Sequence, residues 1–276
     1  MTVVERDALR WAQETFGDCD LGDVRRTKRA VQLVASLARH AGGSVLHACR
    51  GDSAATEAGY RLIRNGAVQA DALAEGGFGA TVRAAAGVEC LLAVEDTTEL
   101  AYEHAVAASL GDLGGPENSR KRGFLVHSTL LVDAASEATV GLIAQERWRR
   151  DGEARGQRHR RRERAYEEKE SFKWQRASEQ MAARLGAALM RRVISVCDRE
   201  ADIYEYLQHK CTHGERFVVR ASWDRRVAHE TGRLFAALAE APVRGEQVVD
   251  IAQRGGRHGR GARRARVALR AGRVTL

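Results

Sequence analysis

LLAVEDTTEL (residues 91–100) and VISVCDREADIY (193–204) decide the fold of this chain. Each holds a short apolar run that stops on an aspartate: Asp96 just past Leu91–Val94, and Asp198 just past Val193–Cys197. Apolar runs of this length, bounded by polar residues, read as buried strands. Between them, His127–Asp133 and Thr139–Trp148 read as two further strands, joined by a hairpin-type turn at Asp133–Glu137. Glu167–Met190 reads as one long helix, because Trp174, Ala177, Met181, Leu185 and Ala188 recur at steps of three or four. After the second aspartate come a helix with Tyr204, Leu207 and Cys211 on one side and a strand over Arg216–Ala221. The order is β-β-β-α-β-α-β. A sheet that mixes a hairpin with βα crossovers makes the fold class α/β.

Outward from that core, residues 1–70 read as helical. Asp23 can cap a helix running from Val24 to about His40, and Gly42–Gly43 would end it. Its positions Val31, Val34, Leu37 and Ala38 face inward, while Arg25, Arg26, Lys28 and Arg29 crowd its first turns. Basic groups at a helix start oppose the helix dipole, a cost that a bound phosphate would offset. A second helix begins at Asp52–Ser53 and carries Tyr60, Arg61, Leu62 and Arg64 as far as Asn65–Gly66; residues 68–86, rich in alanine, form a third. Three domains are therefore expected: a helical region (1–70), an α/β core (71–222) and a small antiparallel β unit (223–276). In the last, Gln247–Ala252, Arg266–Leu269 and Val274–Leu276 alternate with turns rich in glycine and arginine.

The composition is that of a globular protein: 276 residues, 44% apolar and 30% charged. The net charge of +8 favours a polyanionic partner such as nucleic acid, a soluble basic enzyme being the alternative. The 5 cysteines (Cys19, Cys49, Cys90, Cys197 and Cys211) are odd in number and widely spaced, without a CxxC, which indicates neither a disulfide framework nor a zinc site but a reducing cytosol. Cys90 and Cys197 lie inside apolar runs and read as small core residues. No secretion signal opens the chain, and no uncharged stretch approaches the ~18 residues of a membrane span.

Two acids delivered by the ends of neighbouring buried strands can gather divalent metal ions at one point. The plainer alternatives are that Asp198 caps the helix after it and that Asp96 caps the turn at Thr97 and Thr98. Crevices at the carboxyl ends of strands are the usual ligand sites of open α/β sheets, and a basic chain suits a phosphate backbone, which together favour a phosphodiester-cutting site. His127 reads as a buried, hydrogen-bonded histidine. Tyr204 and Tyr206 read as packing residues of their helix.

The blocks LGDVRRTKR, AGYRLIRN, LLAVEDTTEL, LGDLGG, GFLVHSTLLVDA, TVGLIAQERW, EEKESFKW, VCDREADIYEYLQ, ERFVVRAS and LRAGRVTL follow one another along nearly the whole chain. In these the sequence resembles the bacterial cut-and-paste DDE transposases of the IS-four family; EDTT, CDREAD and ERFVVR are specific to it as a set. The resemblance implies an RNase H-like mixed sheet with an N-terminal helical DNA-binding region and an incomplete antiparallel β insertion. It implies catalytic, metal-binding roles for Asp96, which would bridge two magnesium ions (manganese as a substitute), and for Asp198, which would hold one. The family's third acid, a Glu within Y-x2-R-x3-E-x6-K, has no counterpart in the sequence. Glu95, Glu99 and Glu200 are not its replacement, Glu200 being expected to orient a neighbour or pair with arginine. The resemblance thus implies a C-terminally truncated member without the dimerisation domain: a monomer that binds transposon ends but cuts poorly.

By the same resemblance, Arg26, Arg29, Arg39, His40 and Arg61 would contact double-stranded DNA from the helical region, and Arg199 and Arg220 from the rim of the core. Transposon ends and target DNA are the implied partners, with no membrane. The implied location is the bacterial cytoplasm, at the nucleoid when bound to DNA. Two basic runs of 6 arginines each, residues 155–164 and 254–266, read respectively as a mostly solvated loop and as turns that face a phosphate backbone. The rival readings are a catalytically inactive DNA-end-binding fragment and another RNase H-like nuclease.

Overall fold

The computed structural model describes residues 7–102, 109–113, 122–150, 164–256 and 259–275. The basic run at 155–164, apart from Arg164, lies outside the described residues, as do the last two residues (114 and 115) of the LGDLGG block. Residues 1–220 form one compact unit and residues 221–276 a second.

Among the described residues, five helices open the first unit: α1 (Ala8–Phe16), α2 (Val24–Arg39), α3 (Val45–Ala48), α4 (Ser53–Ile63) and α5 (Ala70–Ala85). Local chemistry starts four of them. The side chains of Asp7, Asp23, Ser44 and Asp52 each accept a backbone N–H from the first turn they precede. α2 turns Ala30 and Leu33 against Leu21 and Leu62, and Val31 and Ala35 against Ala12 of α1. The short helices α1 and α3 are additions to the sequence reading, which had placed residues 1–70 as helical without resolving them.

The sheet has six strands: β1 (Leu91–Tyr102), β2 (Gly111–Asp112), β3 (Arg122–Asp133), β4 (Thr139–Trp148), β5 (Val193–Cys197) and β6 (Arg216–Val219). β3 lies antiparallel between β1 and β4, while β5 runs parallel to both β1 and β6. The two-residue β2, absent from the expected order, pairs with Arg122 and Gly123 at the start of β3. The result is a mixed α/β sheet behind a helical N-terminal region.

One face of the sheet is covered. Leu91, Ala93, Leu131, Ile143 and Val193 pack against Ala85 of α5 and against Met181 and Leu185 of α6 (Lys173–Met190). The opposite face carries Val94, Leu142 and Val218, all more than a third exposed. Strand alternation separates the two sets, since successive side chains leave opposite faces. At β4, Gly141 has φ +153 and a Cβ there would overlap the Thr81 hydroxyl of α5. Gly141→Ala should therefore force α5 off β4 and destabilise the unit by about 1–3 kcal/mol, a loss read directly in a thermal melt.

Three readings of the helices need correction. The expected helix from Glu167 begins only at Lys173, after two 3-10 turns at Tyr166–Glu168 and Glu170–Phe172. Gly186, at φ +70, breaks the helical phase inside α6, so Leu189 and Met190 rather than Ala188 reach the core. In α7 (Tyr204–Thr212) the buried side chains are Tyr206 and Lys210, not Tyr204, Leu207 and Cys211. Lys210 can be buried because its ammonium meets Ser178 at 2.6 Å, Ser195 at 3.0 Å and Glu215 at 2.7 Å. Cys197 is buried as expected, and Cys90 only half-buried.

The second unit holds α8 (Leu234–Glu240) and an antiparallel pair, β7 (Val243–Ile251) and β8 (Arg263–Arg270). α8 had no signal in the sequence reading. Val274 and Thr275 add no strand to the pair. Arg264 and Arg266, taken from the sequence as facing phosphates, lie beside Asp250 at 2.9 Å and Glu246 at 3.4 Å on the neighbouring strand. Exposed pairs of this kind contribute little to stability, so both guanidinium groups can exchange partners.

Candidate nucleic-acid interface and acidic strand ends

β1 and β5 run in register from Leu91↔Val193 to Glu95↔Cys197. Asp96 and Asp198 are each the next residue along, so the two carboxylates leave adjacent parallel strands at one level. They share the exposed side of the sheet with Val94 and Val196, whereas Glu95 and Cys197 turn to the covered side. The capping roles weighed from the sequence are also present. Asp96 Oδ1 accepts the Thr97 N–H at 2.7 Å, and Asp198 Oδ1 accepts the Glu200 N–H at 2.8 Å. Those bonds orient each carboxylate, and both residues are exposed.

Two exposed hard oxygen donors fit a single magnesium ion, which keeps most of its waters and takes one or two carboxylates together with substrate phosphate. Among the described residues no group of three or more His, Cys, Asp or Glu side chains could hold a metal. Glu200, expected to orient a neighbour or pair with arginine, lies 3.4 Å from Lys173 Nζ. That lysine is itself buried over the rings of Trp148 and Trp174, at 5.5 and 5.7 Å.

The rim arginines gather beside the acids. Arg199 follows Asp198 on the 3-10 turn Arg199–Ala201, and the Arg220 N–H donates to the Cys197 carbonyl at 3.2 Å. Arg26, Arg29, Arg39, His40 and Arg61 form a separate group on the helical region. Arg26 and Arg29 occupy the first turns of α2 and Arg39 its last, about 20 Å away along the axis at 1.5 Å per residue. Arg29, Arg39 and Arg61 are exposed. Arg26 is half-buried and donates to the Leu21 carbonyl at 3.0 Å, so it shapes the loop before α2 as well. The Asp23 cap keeps its charge: its carboxyl is held at about 2, chiefly by the hydrogen bond from the Arg25 side chain.

His40 has both ring nitrogens engaged, Nδ1 with the Ser36 carbonyl and Nε2 with the Arg50 side chain, each at 3.2 Å. In the free chain it holds Arg50, whose φ of +53 lies in the left-handed region, and both line a small groove with His47. Arg61 lines a larger open groove of about 690 Å³ together with Leu46, Tyr60 and Arg64. The Arg64 guanidinium lies 5.5 Å from the centre of the Tyr60 ring. Neither Arg50 nor Arg64 is among the DNA contacts expected from the sequence. The four-residue spacing of Tyr60 and Arg64 on one helix face was the available signal for the second.

The N-terminal region is thus a cluster of capped helices with exposed arginines, attached to an α/β sheet. Residues 8–68 match the family model described as Transposase DNA-binding. The matched span runs from α1 through α4 and supports a transposase that binds DNA, in general terms an enzyme of DNA cleavage and transfer. Among the described residues no helix is long and apolar enough to cross a membrane.

Proposed function

We propose that the chain is a DDE-type transposase of the IS-four kind: its helices bind transposon ends, and its sheet, read as an RNase H-like core, carries the first two acids of the catalytic set. The observation that carries this reading is the register. Asp96 and Asp198 stand side by side at the carboxyl ends of parallel strands, in a chain whose residues 8–68 match a transposase DNA-binding domain. The strand arrangement, with β1 antiparallel to β3 and parallel to β5, supports the RNase H-like assignment.

In this reading Asp96 and Asp198 hold magnesium, with manganese as a substitute. Once bound, the metal would polarise a phosphoryl oxygen and acidify its water. The residues of the chain do the rest. The Thr97 and Glu200 amides orient the two carboxylates. Arg199 and Arg220 would neutralise the phosphates that flank the scissile one, and the helical arginines would fix the position of the duplex. Among the described residues the two acids have no third companion, which favours a second reading: the chain by itself occupies DNA ends and cuts them weakly.

The test is a transposon-end duplex incubated with the chain and magnesium. We expect binding with little nicking. Magnesium-dependent nicking that disappears in both Asp96→Ala and Asp198→Ala would instead assign full catalysis to these residues. Nicking that survives both substitutions would sink the catalytic proposal. End-specific binding that persists without residues 1–70 would favour a different RNase H-like nuclease.

A further inference from the structure

Directly behind the two acids, on the covered face of the sheet, lies a polar group that packing alone does not require. Glu95 and His127 are buried, 2% and 1% exposed, and Glu95 Oε2 sits 3.7 Å from His127 Nε2. Neither of those atoms has a hydrogen-bond partner, and the hydroxyl of Thr129, opposite Glu95 in the β1–β3 register, has none either. The other ends of the pair are engaged. His127 Nδ1 meets the Thr97 hydroxyl at 3.0 Å, and the Cys197 thiol approaches Glu95 Oε1 at 3.8 Å. The His127 ring also stands edge-on to Trp174 of α6, with centroids 4.6 Å apart.

These contacts form a connected path to both acids. Glu95 precedes Asp96 in the chain and touches Cys197, which precedes Asp198. His127 holds Thr97, whose N–H is the group that orients Asp96 Oδ1. A buried carboxylate–imidazole pair is costly, and an apolar pair of similar volume is often as stable or more so. Its position, spanning β1, β3 and β5 at the level where the acids emerge, gives the cost a purpose.

We propose that Glu95 and His127 are positioning residues that set the spacing and direction of Asp96 and Asp198 for a divalent cation. The inference rests on the proposed metal-binding role of those two aspartates. His127 with its proton on Nε2 faces that N–H to the Glu95 carboxylate and accepts the Thr97 hydroxyl at Nδ1 (an assignment from the contacts). The pair thereby clamps three strands from behind without touching the cation.

Manganese titration of the full chain, followed by the loss of free-ion electron paramagnetic signal, tests this beside a thermal melt of each variant. Partners one layer behind metal ligands typically change affinity by about 10–100-fold when removed. We expect Glu95→Gln, and the apolar double variant Glu95→Leu with His127→Leu, to weaken manganese binding by at least about 10-fold. The double variant should melt at or above the wild-type temperature. Unchanged affinity in a folded double variant overturns the positioning role, provided that Asp96→Ala abolishes binding. If wild type binds no manganese, or Asp96→Ala leaves binding intact, the metal role of the aspartates fails and the inference fails with it. Should the double variant not fold, Glu95→Gln decides alone: it keeps the shape, so wild-type affinity in it rejects the proposal.

Discussion

Raising the salt from about 50 to about 200 mM should weaken the binding of this chain to duplex DNA by about a thousandfold. The expectation follows from the number of phosphates the proposed surface can meet. Arg26, Arg29, Arg39 and Arg61 on the helices and Arg199 and Arg220 beside the acids would each displace one condensed counterion. That corresponds to a slope of about −5 in a plot of log affinity against log salt, at ~0.9 per phosphate. Fluorescence anisotropy of a labelled duplex over a salt series measures it. Arg29→Ala should reduce the slope by about 0.9 and weaken binding to all sequences alike, because a phosphate contact positions the duplex without reading it. Arg26→Ala should do the same and also lower the melting temperature, since it removes the hydrogen bond to the Leu21 carbonyl. His40→Ala, by contrast, should leave the slope unchanged and act through the loop that holds Arg50. A slope near zero for the wild-type chain would remove the helical surface from consideration as a DNA contact.

The largest loss of stability is expected from Lys210→Met. Its ammonium is fully buried and satisfied by Ser178, Ser195 and Glu215, which ties α6, β5, α7 and the approach to β6 at one point. Removing the cation strands the Glu215 carboxylate, which is only 12% exposed and hydrogen-bonded otherwise to Ser178 at 2.7 Å. Breaking one half of a buried pair typically costs about 3–5 kcal/mol. For a unit of this size that corresponds to roughly 10 °C or more in melting temperature, measurable by calorimetry. Lys210→Met combined with Glu215→Leu should recover most of the loss, because the uncompensated charge is then gone. The same pair makes the fold acid-sensitive. Burial pushes the Glu215 carboxyl up, but the hydrogen bond and charge of Lys210 outweigh it and hold the group below its usual range. A carboxyl depressed in the folded state stabilises above its unfolded value. Stability should therefore fall as the pH drops below about 4, and Glu215→Gln should flatten that part of the profile.

The elements with strong local signals are legible in the amino-acid sequence. Asp23 and Asp52 mark helix starts because a short side-chain acceptor before an amphipathic run meets free amides wherever it occurs. The strands around Asp96 and Asp198 were legible because a run of apolar residues is hard to satisfy except by burial. The phase of α6 after Gly186 was not legible, since a left-handed residue inside a helix leaves no periodic trace. Nor was the buried face of α7: Lys210 reads as a surface residue until Ser178, Ser195 and Glu215, from three other segments, are seen to close around it. The hydrogen bonds of His40 were not legible either. Its engagement with Ser36 and Arg50 depends on how the chain turns after α2.

By itself the amino-acid order determined the helical character of the N-terminal third, the strand character of the segments that end at the two acids, and a basic surface suited to DNA. These follow from interactions between residues close in sequence and from the summed charge. Only the tertiary structure decided that β1 and β5 are neighbours in parallel register, which sets Asp96 beside Asp198 on the open face and buries Glu95 against His127 behind them. Pairing across roughly a hundred residues is settled by how whole strands and helices pack, and no local pattern encodes it.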